Sequence, residues 1–279
     1  MKRSANEETS PIDAGKLRQV QRQFGISAET YATSSVHSKG ASLNLLIDAI
    51  DIQPTWRVLD VATGAGHTAH AIAPFVKRVV SSDLTFKMLL VSRRLASDQN
   101  RANIDTVSAE AGQLSFSSGI FDLVTCRIAA HHFHNLQAFM SESVRVLRAG
   151  GILAVVDNIV PGGFRKRKET RRLGETGRFI NAFDRLRDPS HVLSLSIDQW
   201  LENFYQSSLR VLHRETIEKQ LDLDVWAKRM NVADDDVIRL KLMMRQAPSQ
   251  VQEYFKPQFI GERILFNLTE LILIGIKEP

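Results

Sequence analysis

Val58-Leu59-Asp60-Val61-Ala62-Thr63-Gly64-Ala65-Gly66-His67 carries an apolar run into a glycine pair and then into helical sequence. Glycines let a backbone approach a ligand closely, and a helix start offers it unpaired N–H groups. The spacing Gly64-Ala65-Gly66-His67-Thr68-Ala69 also satisfies the dinucleotide pattern G-x-G-x-x-A. Asp60 argues the other way, because a carboxylate four residues ahead of Gly64 would repel a pyrophosphate and attract an amino-acid ammonium. The next apolar run ends in Ser81-Ser82-Asp83, and Asp83, followed by Leu84, stands where both hydroxyls of a ribose can be gripped, as nucleotide sites of either class require. After the third run, Ala109-Glu110-Ala111 offers a carboxylate and a backbone N–H to an adenine edge; an exposed loop acid is the plainer reading of Glu110.

An ammonium beside an adenosine describes S-adenosylmethionine, which carries that ammonium and a sulfonium. Methyl transfer from a sulfonium is an in-line displacement, so it asks a protein for alignment and exclusion of water, and for no metal or covalent intermediate. A hydroxyl or carbon nucleophile gains from a general base, and histidine suits with its pKa of about 6.5. His132, next to His131, follows the fourth apolar run, where the transferred methyl should lie, and packing or capping is the alternative role. His191 follows the turn-forming Asp188-Pro189-Ser190 and either reaches the acceptor from above or sits on a surface turn. Asp157 ends the fifth run as the carboxylate candidate for acceptor binding or base work, with capping of the next turn as its competitor. His131, His132 and His134 lack the spacing and cysteine partners of a metal site, so no metal is expected.

These side chains need a scaffold that brings run ends together. β-branched runs at Arg57 to Val61, Arg78 to Ser82, Ile104 to Val107, Phe121 to Cys126 and Gly151 to Asp157 predict strands. Helical spacing at Thr68 to Phe75, Phe86 to Ser97 and Leu136 to Leu147 alternates with them, which predicts a parallel sheet with helices on its faces. Arg148-Ala149-Gly150-Gly151 reads as a glycine stop before the fifth strand. Ile12 to Ile50 reads as two helices around a polar segment, Ser27 to Gly40, and Pro161-Gly162-Gly163 opens a helical, arginine-rich insert reaching about Ser207. A strand at Leu209 to Lys219, helical sequence from Leu223 to about Val251 and a last strand in Leu268 to Lys277 complete a seven-stranded, mostly parallel sheet with the last strand antiparallel. The expected divisions are 1–50 as lid helices with about 1–15 unstructured, 51–161 as the cofactor-binding core, 162–208 as a cap, and 209–279 as the closing strands with inserted helices.

The chain has 279 residues, 43% of them hydrophobic, which is enough for one well-buried α/β core with appended elements. A lone cysteine, Cys126, excludes an intramolecular disulfide framework and fits a reducing, cytoplasmic setting. No stretch reaches the roughly 18 apolar residues of a membrane span. The net charge of +5 is gathered partly in Arg165-Lys166-Arg167-Lys168 and Arg171-Arg172, read as a solvated helix face. That run has no interleaved stacking aromatics, so no nucleic-acid partner is expected. Aromatics of the insert (Phe164, Phe179, Phe183, Trp200, Phe204, Tyr205) suggest an organic acceptor in an apolar pocket, or simply core.

Taken in order, Val58 to Gly66, Asp83, Phe121 to Arg127, Ala130-His131-His132-Phe133 and Arg145 to Gly151 resemble class I methyltransferases, within the small-molecule group that includes ubiquinone and menaquinone C-methyltransferases. The resemblance covers roughly Phe24 to Pro161. It implies a Rossmann-like fold, S-adenosylmethionine as cofactor, and Asp60, Ala62, Gly64, Gly66, Asp83, Leu84, Glu110, Ala111 and Arg127 around it. Phe24, Ala28, Tyr31 and His37 are spaced as in that family's N-terminal lid, with Tyr31 closing over the cofactor. Ala62 departs from the family's usual glycine, and Glu110 to Phe116 departs from its adenine-side motif. The implied activity is methylation of a small organic acceptor at oxygen or carbon by a monomer or homodimer. A catalytically silent partner subunit and a nicotinamide-dependent oxidoreductase are the competing readings.

Overall fold

A computed structural model describes residues 14–32, 40–162 and 167–278, with side chains described outside 30–32 and 167–173. The aliphatic runs pair in parallel because crossover helices cover both faces of the sheet they form. Strand β1 (Arg57–Val61) lies between β2 (Arg78–Asp83) and β4 (Phe121–Arg127), β3 (Ile104–Ser108) flanks β2, and β5 (Leu147–Asn158) flanks β4, all parallel. Strand β8 (Arg263–Lys277) runs antiparallel between β5 and β6 (Leu209–Asp222). The order β3-β2-β1-β4-β5-β8-β6 reverses between β1 and β4, which opens a crevice at their carboxyl ends.

This is the mostly parallel seven-strand sheet the sequence implies, with one addition. A three-residue strand, β7 (Gln258–Ile260), pairs with the start of β8 across the turn Gly261-Glu262, where Gly261 takes φ 59° as tight hairpins demand.

Two boundaries differ from expectation. Helix α1 (Ala14–Ala32) continues through Ser27 to Ala32, part of the segment expected to be polar loop. Ser27 and Ala28 are small enough to bury their side of α1, and Ala28 packs with Phe24 against Ala65, Met88 and Val91. Ala14 and Gly15 are helical although 1–15 was expected to be unstructured; residues 1–13 lie outside the described residues. Arg148 to Gly151 does not stop a helix but lies within β5, where Gly150 at φ 69° accompanies a register shift opposite Phe121 and Leu123, a bulge.

Helices α2 (Ala41–Asp48), α3 (His67–Ile72), α4 (Phe86–Asp98) and α5 (Leu136–Val146) cover the sheet. The Asn135 side chain starts α5 by accepting the Ala138 N–H at 2.9 Å. Beyond β5 come α6 (Arg167–Arg187) and α7 (Ile197–Gln206), and between β6 and β7 lie α8 (Leu223–Lys228), α9 (Asp234–Arg245) and α10 (Ser249–Phe255). Phe183 of α6 stacks on Trp226 at 5.4 Å and meets Phe255 and Phe266, so the insert and the closing elements share one aromatic core.

Candidate active site

Three residues of the turn after β1 are left-handed: Ala62 (φ 51°), Gly64 (φ 55°) and Gly66 (φ 87°). The turn is pinned by Thr63 N–H to the Ser82 carbonyl and by Gly66 N–H to the Thr63 carbonyl, both at 2.9 Å. A Cβ on Gly64 would meet nothing within 4 Å, because this part of the turn borders a cavity of about 300 Å³. The cavity sits at the carboxyl ends of β1, β2 and β4 and is roofed by Leu17, Val20 and Phe24 of α1. A left-handed alanine is strained, as only glycine visits this region freely. Ala62→Gly is therefore expected to raise stability by roughly 0.5–1 kcal/mol in urea unfolding, after the extra chain entropy of glycine is subtracted.

Asp83 lines the cavity, and its carboxylate is oriented by two backbone donors: Gly64 N–H to Oδ2 at 2.8 Å and Thr85 N–H to Oδ1 at 2.7 Å. Burial pushes its pKa up to about 6 against those donors. The Thr85 side chain adds a third donor, which leaves the carboxylate room for a further one. Leu84 and Glu110 border the same space, as do Ala62, Ala111 and Arg127. Glu110 accepts the Gly112 N–H at 2.7 Å, which folds its loop back, and burial raises its pKa. Arg127 donates from Nε to Thr68 Oγ1 at 3.0 Å; burial lowers its pKa while the charges of Glu270 and Asp60 oppose this. Glu270 in turn accepts from Lys219 Nζ at 2.9 Å.

Asp60 does not reach the cavity as expected. Its carboxylate, 1% exposed, accepts the hydroxyls of Thr125 at 2.6 Å and Thr63 at 2.5 Å, so its effect on the cavity passes through Thr63, which does line it. Gly66 likewise lies behind the lining, where a Cβ would meet Ser92 and His70. Tyr31 belongs to α1 but its side chain, like all of His37, lies outside the described residues, as do the side chains of the basic run.

Of the three base candidates, His132 alone lines the cavity. Burial and the neighbouring His131 push its pKa down to about 4, so its ring is neutral at pH 7. Phe24 meets it edge-on at 4.9 Å. His191 is turned away: its Nε2 lies 2.8 Å from Asn181 Oδ1, and burial with the charge of His131 pushes its pKa down to about 2. Asp157 is committed to its neighbours and does not line the cavity, accepting His131 Nδ1–H at 2.6 Å, His131 N–H at 2.8 Å and Asn158 N–H at 2.8 Å. Burial pulls the His131 pKa down, but Asp157, with Asp184 and Asp188 behind it, outweighs burial and the net shift is upward. The histidines thus divide into His131, whose protonated form Asp157 favours, and two rings, His132 and His191, that are neutral at pH 7. Among the described residues the insert aromatics do not wall the cavity either: Phe183, Trp200 and Phe204 are core and Tyr205 is 80% exposed, while Phe24 and Phe133 line it; Phe164 lies outside the described residues. Phe24 was singled out in the sequence as part of the lid, but Thr63, Thr85, Leu17 and Val20 were not; the i, i+3, i+7 spacing of Leu17, Val20 and Phe24 was the available signal. Among the described residues no group of three His, Cys, Asp or Glu side chains could hold a metal.

A doubly wound sheet with a glycine turn after β1 and an acid closing β2 defines the Rossmann-like class of nucleotide-cofactor proteins. Residues 59–155 match the family model described as methyltransferase domain. The uncharacterized methyltransferase YcgJ of Bacillus subtilis (strain 168) is 31% identical over 256 residues, covering 91% of this chain and 97% of that one. The crystal structure of YcgJ superposes with a TM-score of 0.76 at 30% identity over 85% of this chain and 98% of that one, and that of BH2331 from Bacillus halodurans C-125 with 0.78 at 32% over 86% and 100%. The demethylmenaquinone methyltransferase of Renibacterium salmoninarum is 33% identical over 113 residues, 40% of this chain and 46% of that one. The chain belongs to the class I S-adenosylmethionine-dependent methyltransferases, and S-adenosylmethionine is accordingly its cofactor.

Proposed function

We propose that this methyltransferase modifies a small organic acceptor at an oxygen or carbon atom, in the cytoplasm, with Asp83 holding the cofactor ribose and His132 acting as general base. The observation that carries the reading is the continuity of one cavity from Gly64 and Asp83 to His132 and Phe133. The donor side fits the cofactor: the bare face of Gly64 admits a ligand against the backbone, and the oriented Asp83 carboxylate suits a ribose hydroxyl. Glu110 with the Ala111 N–H suits the adenine edge, and Thr63, oriented by Asp60, suits the amino-acid end. When bound, S-adenosylmethionine supplies an electrophilic methyl on its sulfonium. The residues supply alignment, a wall that excludes water, and a neutral imidazole for the acceptor's proton. An apolar roof of Leu17, Val20 and Phe24 favours a compact organic acceptor over a nucleic acid. The partial match to a demethylmenaquinone methyltransferase makes a quinone precursor one acceptor candidate. Among the described residues no helix is long and apolar enough to cross a membrane.

Isothermal titration with S-adenosylmethionine, S-adenosylhomocysteine and NADH side by side tests the donor site. Micromolar binding of the first two and none of the third is expected; binding of NADH alone would return the oxidoreductase reading, and silence from all three would favour the partner subunit. Asp83→Asn is expected to cost about 1.5–3 kcal/mol of S-adenosylmethionine affinity, tenfold or more in Kd. An unchanged Kd would remove the ribose from Asp83.

A further inference from the structure

His132 Nδ1 lies 3.1 Å from the backbone carbonyl oxygen of Ser190 and 3.2 Å from the Ser190 hydroxyl. A carbonyl oxygen has no proton to give, so the proton in that contact belongs to Nδ1. The Ser190 hydroxyl is committed as well, because it donates to Asp188 Oδ1 at 2.6 Å, and the same oxygen accepts the Ser190 N–H at 2.9 Å. These bonds close an Asx-turn that aims the Ser190 carbonyl at the imidazole. The turn is docked on the segment carrying His132: Val192 and Leu193 donate their N–H groups to the His131 carbonyl at 2.9 and 3.1 Å. With Nδ1 protonated, Nε2 holds the lone pair, and among the described residues it makes no hydrogen bond.

We infer that Asp188 is a positioning residue for methyl transfer: by closing the 188–190 turn it fixes His132, a residue of the cavity wall, in the Nδ1–H tautomer and leaves its Nε2 unprotonated. The inference rests on the reading of His132 as base. In the step it prepares, the acceptor's bond to hydrogen breaks, the electron pair stays with the acceptor atom, and the proton bonds to Nε2. The resulting imidazolium keeps its Nδ1 proton toward Ser190 and has Asp188 Oδ2 3.9 Å from its Nε2. Correct tautomer and docked insert are then one condition, since Asp188 and Ser190 come from the insert and His132 from the end of β4.

Histidine-ring ¹⁵N NMR of the full chain at neutral pH, without cofactor and assigned with His132→Gln, reads the tautomer directly. Wild type is expected to show Nδ1–H as the major form, against the Nε2–H form that imidazole side chains prefer in water. Asp188→Asn, whose amide oxygen can close the same turn, is expected to retain it, and Asp188→Ala to shift the population toward Nε2–H. A wild type that is mainly Nε2–H overturns the inference, and so does an unchanged tautomer in Asp188→Ala. If Asp188→Ala does not fold, loss of the Nδ1–H form in Asp188→Asn overturns it instead. The base reading fails separately, if His132→Gln turns over an acceptor at the wild-type rate while the tautomer pattern holds.

Discussion

Gly66→Ala is expected to lower stability by about 2–5 kcal/mol, the combined scale of a left-handed alanine and an overpacked core. The added Cβ would stand 2.3 Å from Ser92 Oγ and 2.8 Å from His70 Nε2, at a residue whose φ is 87°. Neither neighbour is a flexible chain end on the surface, since Ser92 is 0% and His70 6% exposed. Urea unfolding should show a reduced midpoint with an unchanged slope. Ser92→Ala in the same chain removes the closest atom and should recover part of the loss, while the backbone strain and the His70 contact persist. Full stability in Gly66→Ala would mean that the turn can reshape at no cost. Gly64→Ala provides the contrast: the same sign of φ but open space, so the structural cost is confined to backbone strain.

Asp157→Ala should lose about 3–5 kcal/mol, because it leaves the buried His131 ring and two backbone N–H groups without their acceptor. The loss carries a pH signature. His131 has a folded pKa above its unfolded value, so the stability it contributes is full below about 6.5 and fades as pH rises through the folded value. The difference between wild type and Asp157→Ala, measured by urea unfolding, should therefore be larger at pH 6 than well above the folded pKa. Asp83 and Asp184, with pKa values raised to about 6, lose their contributions between the unfolded carboxylate range and that value, and His132 and His191 act on the acid side. The Asp83 contribution is common to both proteins and cancels in the difference, whereas Asp184, His132 and His191 feel the charge of His131, and His132 that of Asp157 as well, so theirs move with it. A difference independent of pH would place no charge on His131.

The sheet was readable from sequence because its strands are short aliphatic runs with turn signals between them, and Asp83 and Gly64 were readable because they close such runs. What escaped was set by tertiary partners. Ser27 to Ala32 looks like loop until α4 packs on it, and only the bulge opposite Phe121 reveals that Gly150 lies inside a strand. Asp60 and Asp157 were rightly seen to stand at the sheet edge. Which hydroxyls or imidazoles they hold depends on Thr125 and His131, 65 and 26 residues away, whose facing positions no local pattern encodes. The same holds for the Ser190 carbonyl, 58 residues from His132.

The roof of the cavity is a helix with no strand pairing to hold it. Gln19, Gln21 and Gln23 reach the carbonyls of Pro189, Leu84 and Met230, and Glu29 pairs with Arg94 on the surface. Such contacts contribute little each, and with the packing of Phe24 and Ala28 on Ala65, Met88 and Val91 they are what must be undone for α1 to lift, with no strand pair broken. Ligand residence and helix docking then become a single equilibrium. The amides of α1 should exchange with solvent fastest in the empty protein and slow as the cavity fills, which makes this helix a built-in gauge of occupancy for any candidate acceptor, whether or not it is turned over.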